Sequence, residues 1–393
     1  MNIKSQTKNL LLTGGRAPAT LDLARKFNSY GITVYVAESL PNHLCTYSRA
    51  VKESFELPAP KLDPERYIEE LKAIIVHKKI DLVIPTCEEV FYIARYKEML
   101  TLALPRVNVF VDSFEKLRML HNKSAFIEYI SSLGKAVPRT WLLRSSEDVA
   151  NFFTRTQFSQ RIIIKAAYSR FATKIFELEN GKNIPPLDVS IEHPWVVQEF
   201  INGKQYCSYS ICHSGTVFAH TAYAATFTAG RGACICFEYT DHPEIYQWVQ
   251  DVVKDLKFTG QIAFDFIQTT DGILYPLECN PRATSGIHLL NSQEIVEAMM
   301  IPAAAVQISG AKSKMVALAM ILYGVRQCKG FTSLKDWLKI FWHANDVLFS
   351  VDDPVPFFQQ FVMLKTLYFI GSNGGTSMLE ATTYDIEWNG EDI

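Results

Sequence analysis

The 393-residue chain is 48% hydrophobic and 20% charged, with 25 Phe and 17 Tyr, a composition that excludes disorder and calls for two or three packed units. A formal net charge of −2 offers neither a basic footprint for nucleic acid nor a polybasic membrane patch, so an anionic ligand has to be held by local groups. Eight scattered Cys, without a CxxC pair or a zinc-like Cys/His spacing, fit free thiols in a reducing cytosol.

Met1 to Lys8 is polar and lacks an apolar signal core, and the longest apolar run, Met315 to Val325, is too short to span a bilayer. A soluble, cytoplasmic protein is expected. Asn9 to Thr13 reads as a strand running into Gly14-Gly15, followed by a helix from about Pro18 to Tyr30 that Gly31 stops. Ile32 to Ala37 is a second strand, Tyr67 to His77 an amphipathic helix, and Asp81 to Pro85 a strand entering the loop Thr86-Cys87-Glu88-Glu89. This alternation predicts a doubly wound parallel sheet, with ligands at the carboxyl ends of its strands. From Ser113 the periods change. Helices are expected through Leu117 to Leu120 and Ser124 to Leu133, then strands at Arg161–Ala166, Trp195–Ile201, Gln205–Cys212, Thr216–Ala222, Gln261–Gln268 and Ile273–Cys279, an α+β pattern. After about Gly310 the chain turns aromatic and helical, around Leu334 to His343 and Phe357 to Gly371, with no chemical motif.

The strongest chemical signal is the hairpin Gln261-Ile-Ala-Phe-Asp265-Phe-Ile-Gln, turn Asp271-Gly272, then Ile-Leu-Tyr-Pro-Leu-Glu278-Cys-Asn280-Pro-Arg282. Alternation along a strand sends Glu278 and Asn280 to one face, and a paired strand can bring Asp265 beside them. Three oxygen ligands then converge, a set that suits Mg²⁺ held between protein and phosphates, with Arg282 set to meet phosphate charge. The competing reading is a surface hairpin with solvated acids.

With this hairpin the sequence resembles the ATP-grasp superfamily, whose signature is an acid on one strand and Glu-x-Asn-Pro-Arg on the next. The resemblance covers roughly Leu10 to Leu290 and is nearest to carbamoyl-phosphate-synthase-like members. It implies an ATP-grasp fold at 113–310, with lobes of about 113–200 and 201–310, behind a Rossmann-like domain at 1–112, leaving 311–393 as a structural extension. It assigns Asp265, Glu278 and Asn280 to the metal, with Mn²⁺ as an alternative to Mg²⁺, and Arg282 to the transferred phosphate. Lys123, at a helix start, and Lys165, ending Ile162-Ile163-Ile164, match the family's two phosphate-binding lysines; read alone, each is a solvated charge. The loop after Lys165, through Ser169 and Ala172, lacks the usual glycine.

Gln198-Glu199-Phe200-Ile201 resembles the hinge that binds adenine through its backbone, and Gln205 stands where the family generally has a ribose-binding Glu. Arg231, on a glycine-rich stretch, matches a phosphate-binding arginine. Gly14-Gly15 and Glu38 outline a dinucleotide site, but the GxGxxG spacing is missing. In related proteins the loops of the first domain face the acceptor substrate, which makes Arg16, Arg49, Glu88 and Glu89 candidates for it; Glu88 and Glu89 equally suit a solvated helix start. Cys87 is discounted as a nucleophile because its acidic neighbours raise a thiol pKa, and His121 reads as a packing or capping residue.

The function implied is an ATP-dependent carboxylate-amine or carboxylate-thiol ligase working through an acyl phosphate and releasing ADP. Its partners are small carboxylates and amines, with no nucleic acid or membrane, and a homo-oligomer is left open. The alternatives are a carbamoyl-phosphate-like phosphotransferase and a catalytically degenerate ATP-binding protein.

Overall fold

The computed structural model describes residues 8–104, 106–155, 161–168, 175–179, 184–229, 233–300 and 313–391. Its first part alternates β1 (Asn9–Thr13), α1 (Pro18–Ser29), β2 (Thr33–Glu38), β3 (Glu53–Glu56), α2 (Pro64–Lys78), β4 (Leu82–Ile84), α3 (Val90–Arg95), α4 (Lys97–Ala103) and β5 (Asn108–Val109). The strands are parallel in the order β3-β2-β1-β4-β5. The central β1 explains the layering: Leu10 and Leu12 enter one core with α1, whereas Leu11 enters the other with α2 and α3. A strand buried on both faces needs such an unbroken apolar run. The short strand β3 is an element the sequence reading did not anticipate.

Two helices follow, α5 (Phe114–His121) and α6 (Lys123–Ser132). Asn122 closes one and opens the next, its Oδ1 accepting from the backbone N–H groups of Ser124 and Ala125 at 3.0 Å each. Then come β6 (Thr140–Leu143), α7 (Ser146–Arg155), β7 (Ile162–Ala166), β8 (Ile175–Leu178) and β9 (Trp195–Glu199), an antiparallel sheet in the order β6-β9-β7-β8.

The third sheet begins with the long pair β10 (Lys204–His213) and β11 (Thr216–Ala225), followed by a small ribbon, β12 (Thr228–Ala229) with β13 (Ala233–Cys234), and by β14 (Cys236–Tyr239). After helix α8 (Pro243–Leu256) come β15 (Gly260–Gln268), β16 (Leu274–Asn280) and α9 (Ser292–Met300). The face of α8 that carries Ile245, Trp248, Val249, Val252 and Val253 is buried in one core with Phe264 and Phe266 of β15. Beyond it, β17 (Lys314–Met315), α10 (Ala317–Ala319), α11 (Phe331–His343), β18 (Asn345–Asp346), α12 (Val355–Gly374) and α13 (Met378–Ala381) complete the chain. The large sheet runs β16-β15-β10-β11-β14-β17-β18, so the C-terminal segment supplies two of its strands.

That segment also returns to the first sheet. Arg16, on the loop after β1, pairs with Glu38, and its Nη1 donates to Asp385 Oδ1 at 2.6 Å. Trp388 is 1% exposed, inside the core shared with α3, α5 and β15. No helix among the described residues is long and apolar enough to cross a membrane.

Candidate active site

A cavity of about 560 Å³ opens between the four-stranded and the seven-stranded sheets. Antiparallel pairing of β15 with β16 sets Asp265 directly opposite Glu278, and Asn280 follows two residues on, opposite Ala263. The turn that fixes this register closes through Gly272, whose φ of +87° only glycine adopts readily. All three polar residues line the cavity.

The opposed carboxyls define the electrostatics. Burial and the neighbouring Glu278 push Asp265 up to about 7. Burial also acts on Glu278, but Lys123 and Lys165 outweigh it and hold that carboxyl below its ordinary range. Lys123 Nζ lies 3.5 Å from Glu278 Oε2. Lys165 Nζ donates to Gln198 Oε1 at 2.9 Å and to the Leu277 carbonyl at 3.3 Å. Burial, reinforced by Lys123, lowers Lys165 to about 8 despite the two acids. The segments carrying the lysines are tied together, since the Lys123 backbone N–H donates to the Ala167 carbonyl at 3.1 Å.

Arg282 lines the same cavity. Its Nε donates to Glu88 Oε1 at 2.8 Å and its Nη2 to Asn280 Oδ1 at 3.1 Å. The cavity also has apolar walls, with Ile163, Ile175, Phe200, Ile201, Ile267 and Leu277 among its lining. Glu199 and Gln205 also border it, Glu199 with its carboxylate 3.2 Å from Arg139. Gln198 faces inward as the partner of Lys165, and its Nε2 donates to Thr140 Oγ1 at 2.9 Å. Gly203, at the turn between the two sheets, sits so close to β15 that a Cβ would lie 2.2 Å from the Gln268 carbonyl oxygen.

Among the described residues, no three His, Cys, Asp or Glu side chains gather into a metal site. The cavity offers two carboxylates and an amide oxygen, an open set rather than a closed cage, and the raised Asp265 marks a spot where a cation would replace a proton. Oxygen donors of this kind fit Mg²⁺.

None of the four acceptor-site candidates lines this cavity. Arg16 is locked between Glu38 and Asp385. The backbone N–H of Arg49 donates to Asp353 Oδ1 at 2.9 Å and its Nη1 to the Asp352 carbonyl at 3.1 Å, joining β2–β3 connections to the C-terminal segment. Glu88 is the buried partner of Arg282. Glu89 accepts from the Thr13 hydroxyl and from the backbone N–H groups of Thr86 and Cys87, which makes it a loop-fixing group instead of a solvated one. Cys87 is held well above its ordinary pKa by burial and by Glu89. Arg231 and the loop residues 169–172 lie outside the described residues.

The cavity also contains residues that carried no sequence signal. Cys207, Tyr223, Cys234 and Thr284 line it near Asp265. Each belongs to an ordinary strand or turn pattern; the pairing of β10 with β11 and with β15 sets Cys207 beside Tyr223 on one side and Asp265 on the other.

Residues 120–286 match the model of an ATP-grasp domain. The fold is similar to an ADP complex of N5-carboxyaminoimidazole ribonucleotide synthetase, at 14% identity and a TM-score of 0.61 over 82% of this chain and 84% of that one. An L-amino acid ligase from Bacillus licheniformis aligns with 13% identity and a TM-score of 0.59, covering 79% of each chain. A biotin carboxylase from Campylobacter jejuni in complex with a βγ-ATP compound aligns with 16% identity and a TM-score of 0.58, over 78% of this chain and 74% of that one. No curated protein matches the chain by sequence. The cleft between the two sheets thus lies within a stretch that matches an ATP-grasp domain and spans the helix of Lys123 and the hairpin of Glu278, in a fold similar to that of these enzymes.

Proposed function

We propose that the protein is an ATP-dependent ligase that phosphorylates a small carboxylate and passes the acyl group to an amine, releasing ADP and phosphate. The observation that carries this reading is the meeting of opposed acids and buried lysines in one cavity: Asp265 and Glu278 across the hairpin, with Lys123 and Lys165 against them. In a chain of net charge −2, such a cluster is a local device for polyphosphate.

In this reading the apolar wall, at Ile163, Phe200 and Ile267, takes the purine, the backbone of Glu199 to Ile201 meets its edge, and Gln205 serves the ribose. Lys123 and Lys165 meet the phosphates, and Asp265, Glu278 and Asn280 hold Mg²⁺, which supplies charge neutralisation when bound. Arg282, oriented by Glu88, faces the transferred group. Phosphoryl transfer needs alignment and charge far more than covalent help from protein, which fits a site of fixed charges without an activated nucleophile. Arg231 belongs to the same proposal as a further phosphate ligand. Eight free cysteines support a cytoplasmic setting.

A pooled screen of amino acids and small carboxylates for ADP release, with and without amines, tests the proposal. ADP release that needs both an acid and an amine, lost by at least 100-fold in Glu278→Ala, is the expected result. Release with acid alone identifies a phosphotransferase, and equal rates in the variant overturn the assigned metal site.

A further inference from the structure

Among the described residues the C-terminal segment contributes none to the cavity walls, yet it meets the segments that carry both lysines. Trp388 is buried among Phe91, Phe114, His121 and Tyr168, with ring centroids 5.2, 5.2, 6.3 and 5.4 Å away. His121 lies two residues before Lys123, and Tyr168 three residues after Lys165. Their own rings are 5.7 Å apart. One indole therefore touches both approaches to the lysine pair, behind the Lys123–Ala167 backbone hydrogen bond.

The segment around the indole is held from several directions. Trp388 Nε1 donates to the Glu391 carbonyl at 2.7 Å, and the Tyr92 hydroxyl donates to the Glu387 carbonyl at 2.8 Å. Lys61 Nζ pairs with Glu387 at 2.7 Å, and Asp385 with Arg16. Gly390, at φ +99°, passes so close to Tyr168 that a Cβ would lie 2.6 Å from its ring. An interdigitated aromatic cluster of this kind transmits small displacements because close-packed side chains have no slack.

We infer that Trp388 is a positioning residue for the nucleotide site: it seats His121 and Tyr168 so that Lys123 and Lys165 stand at fixed spacing against Glu278. The inference rests on the ligase reading only for its consequence on nucleotide, since the seating itself is a property of the nucleotide-free protein. It also gives the segment after α13 a role in the chemistry, although its residues lie outside the matched domain.

Amide hydrogen exchange in the full-length, nucleotide-free protein is the direct test, comparing wild type with Trp388→Ala, Trp388→Phe and Gly390→Ala. The expected result is exchange at least tenfold faster in peptides covering 121–126 and 164–168 of Trp388→Ala, with α8 unchanged and Trp388→Phe close to wild type. Gly390→Ala, which keeps the indole and crowds Tyr168, should loosen the 164–168 peptide even if Trp388→Ala fails to fold. Calorimetry should then show at least fivefold weaker ADP binding in the loosened variants. Unchanged exchange at both segments, or an equal rise throughout the molecule, overturns the inference. Failure of wild type to bind ADP would overturn the ligase proposal alone, because exchange still decides whether Trp388 seats the lysine segments.

Discussion

Lys165 shows how one side chain couples burial to ligand recognition. Its ammonium is buried and lies near the like charge of Lys123, so its folded pKa, about 8, is below the ordinary 10.5. The sign follows: the unfolded chain binds more protons between those values, so the group weakens the nucleotide-free fold fully below pH 8, and the penalty fades as pH rises towards 10.5. The size is about 3 kcal/mol at 1.36 kcal/mol per unit. In the proposed ligase a phosphate at the site would add counter-charge to that of Glu278 and Asp265. Metal-free ADP binding is therefore expected to weaken by about tenfold from pH 7 to pH 10, as a charge-assisted hydrogen bond is lost, and Lys165→Arg should flatten that profile in calorimetric titrations. A Lys165→Arg protein as pH-sensitive as wild type would sink this account. The sequence made the charged groups of this site legible because Asp265, Glu278 and Asn280 sit at alternating positions about one turn. It could not reveal that Gln198, read as a hinge residue, turns inward to Lys165. Side-chain direction at a strand end depends on which sheet packs above it.

At the scale of elements, strands with strong alternation or unbroken apolar runs were readable within two or three residues of their ends, as for β10, where Gln205–Cys212 became Lys204–His213. Short edge strands were not. Glu53–Glu56 has no apolar period, with half-buried Ser54 and Phe55 between two exposed acids, and it exists because β2 offers a free parallel edge. The joint between the two sheets of the cavity depends on Gly203, where backbone meets backbone. Gly203→Ala would force the Gln268 carbonyl away, and a loss of about 1–3 kcal/mol is expected from such overpacking, seen as a fall in thermal midpoint. The cavity should widen with it, so weaker ADP binding at a temperature where the variant is still folded is the second readout. An unchanged midpoint would show that the joint has room to give.

Across the whole molecule, Arg16 shows a pair of contacts that the sequence did not reveal. Its loop sits at the carboxyl end of β1, where ligands commonly bind in open α/β sheets, and the family resemblance implied an acceptor-facing role. In the fold, its guanidinium is neutralised by Glu38 and by Asp385, 369 residues away in the chain. No local pattern encodes a partner at that distance. Breaking a buried pair leaves an uncompensated charge, so Arg16→Ala should cost about 3–5 kcal/mol, with acceptor KM unchanged in whatever protein folds. Glu38 adds a pH signature. Burial would raise it, but Arg16 holds it at about 2, below the ordinary 4.5, so its stabilisation is present above pH 4.5 and is lost as pH falls through 2. Acid titration of the thermal midpoint should show that loss in wild type and a flatter curve in Glu38→Gln.

The bolt between Arg16 and Asp385 has a kinetic corollary. Chain closures spanning most of a polypeptide are the slowest to form, because loop entropy is spent before the contact repays it. The sheets can assemble from neighbours in sequence, whereas Trp388 reaches its socket only after such a closure. Refolding should accordingly proceed in two stages, with bulk secondary structure returning first and competence to bind ADP lagging behind it. In Arg16→Ala, that lag should lengthen while the early stage keeps its rate.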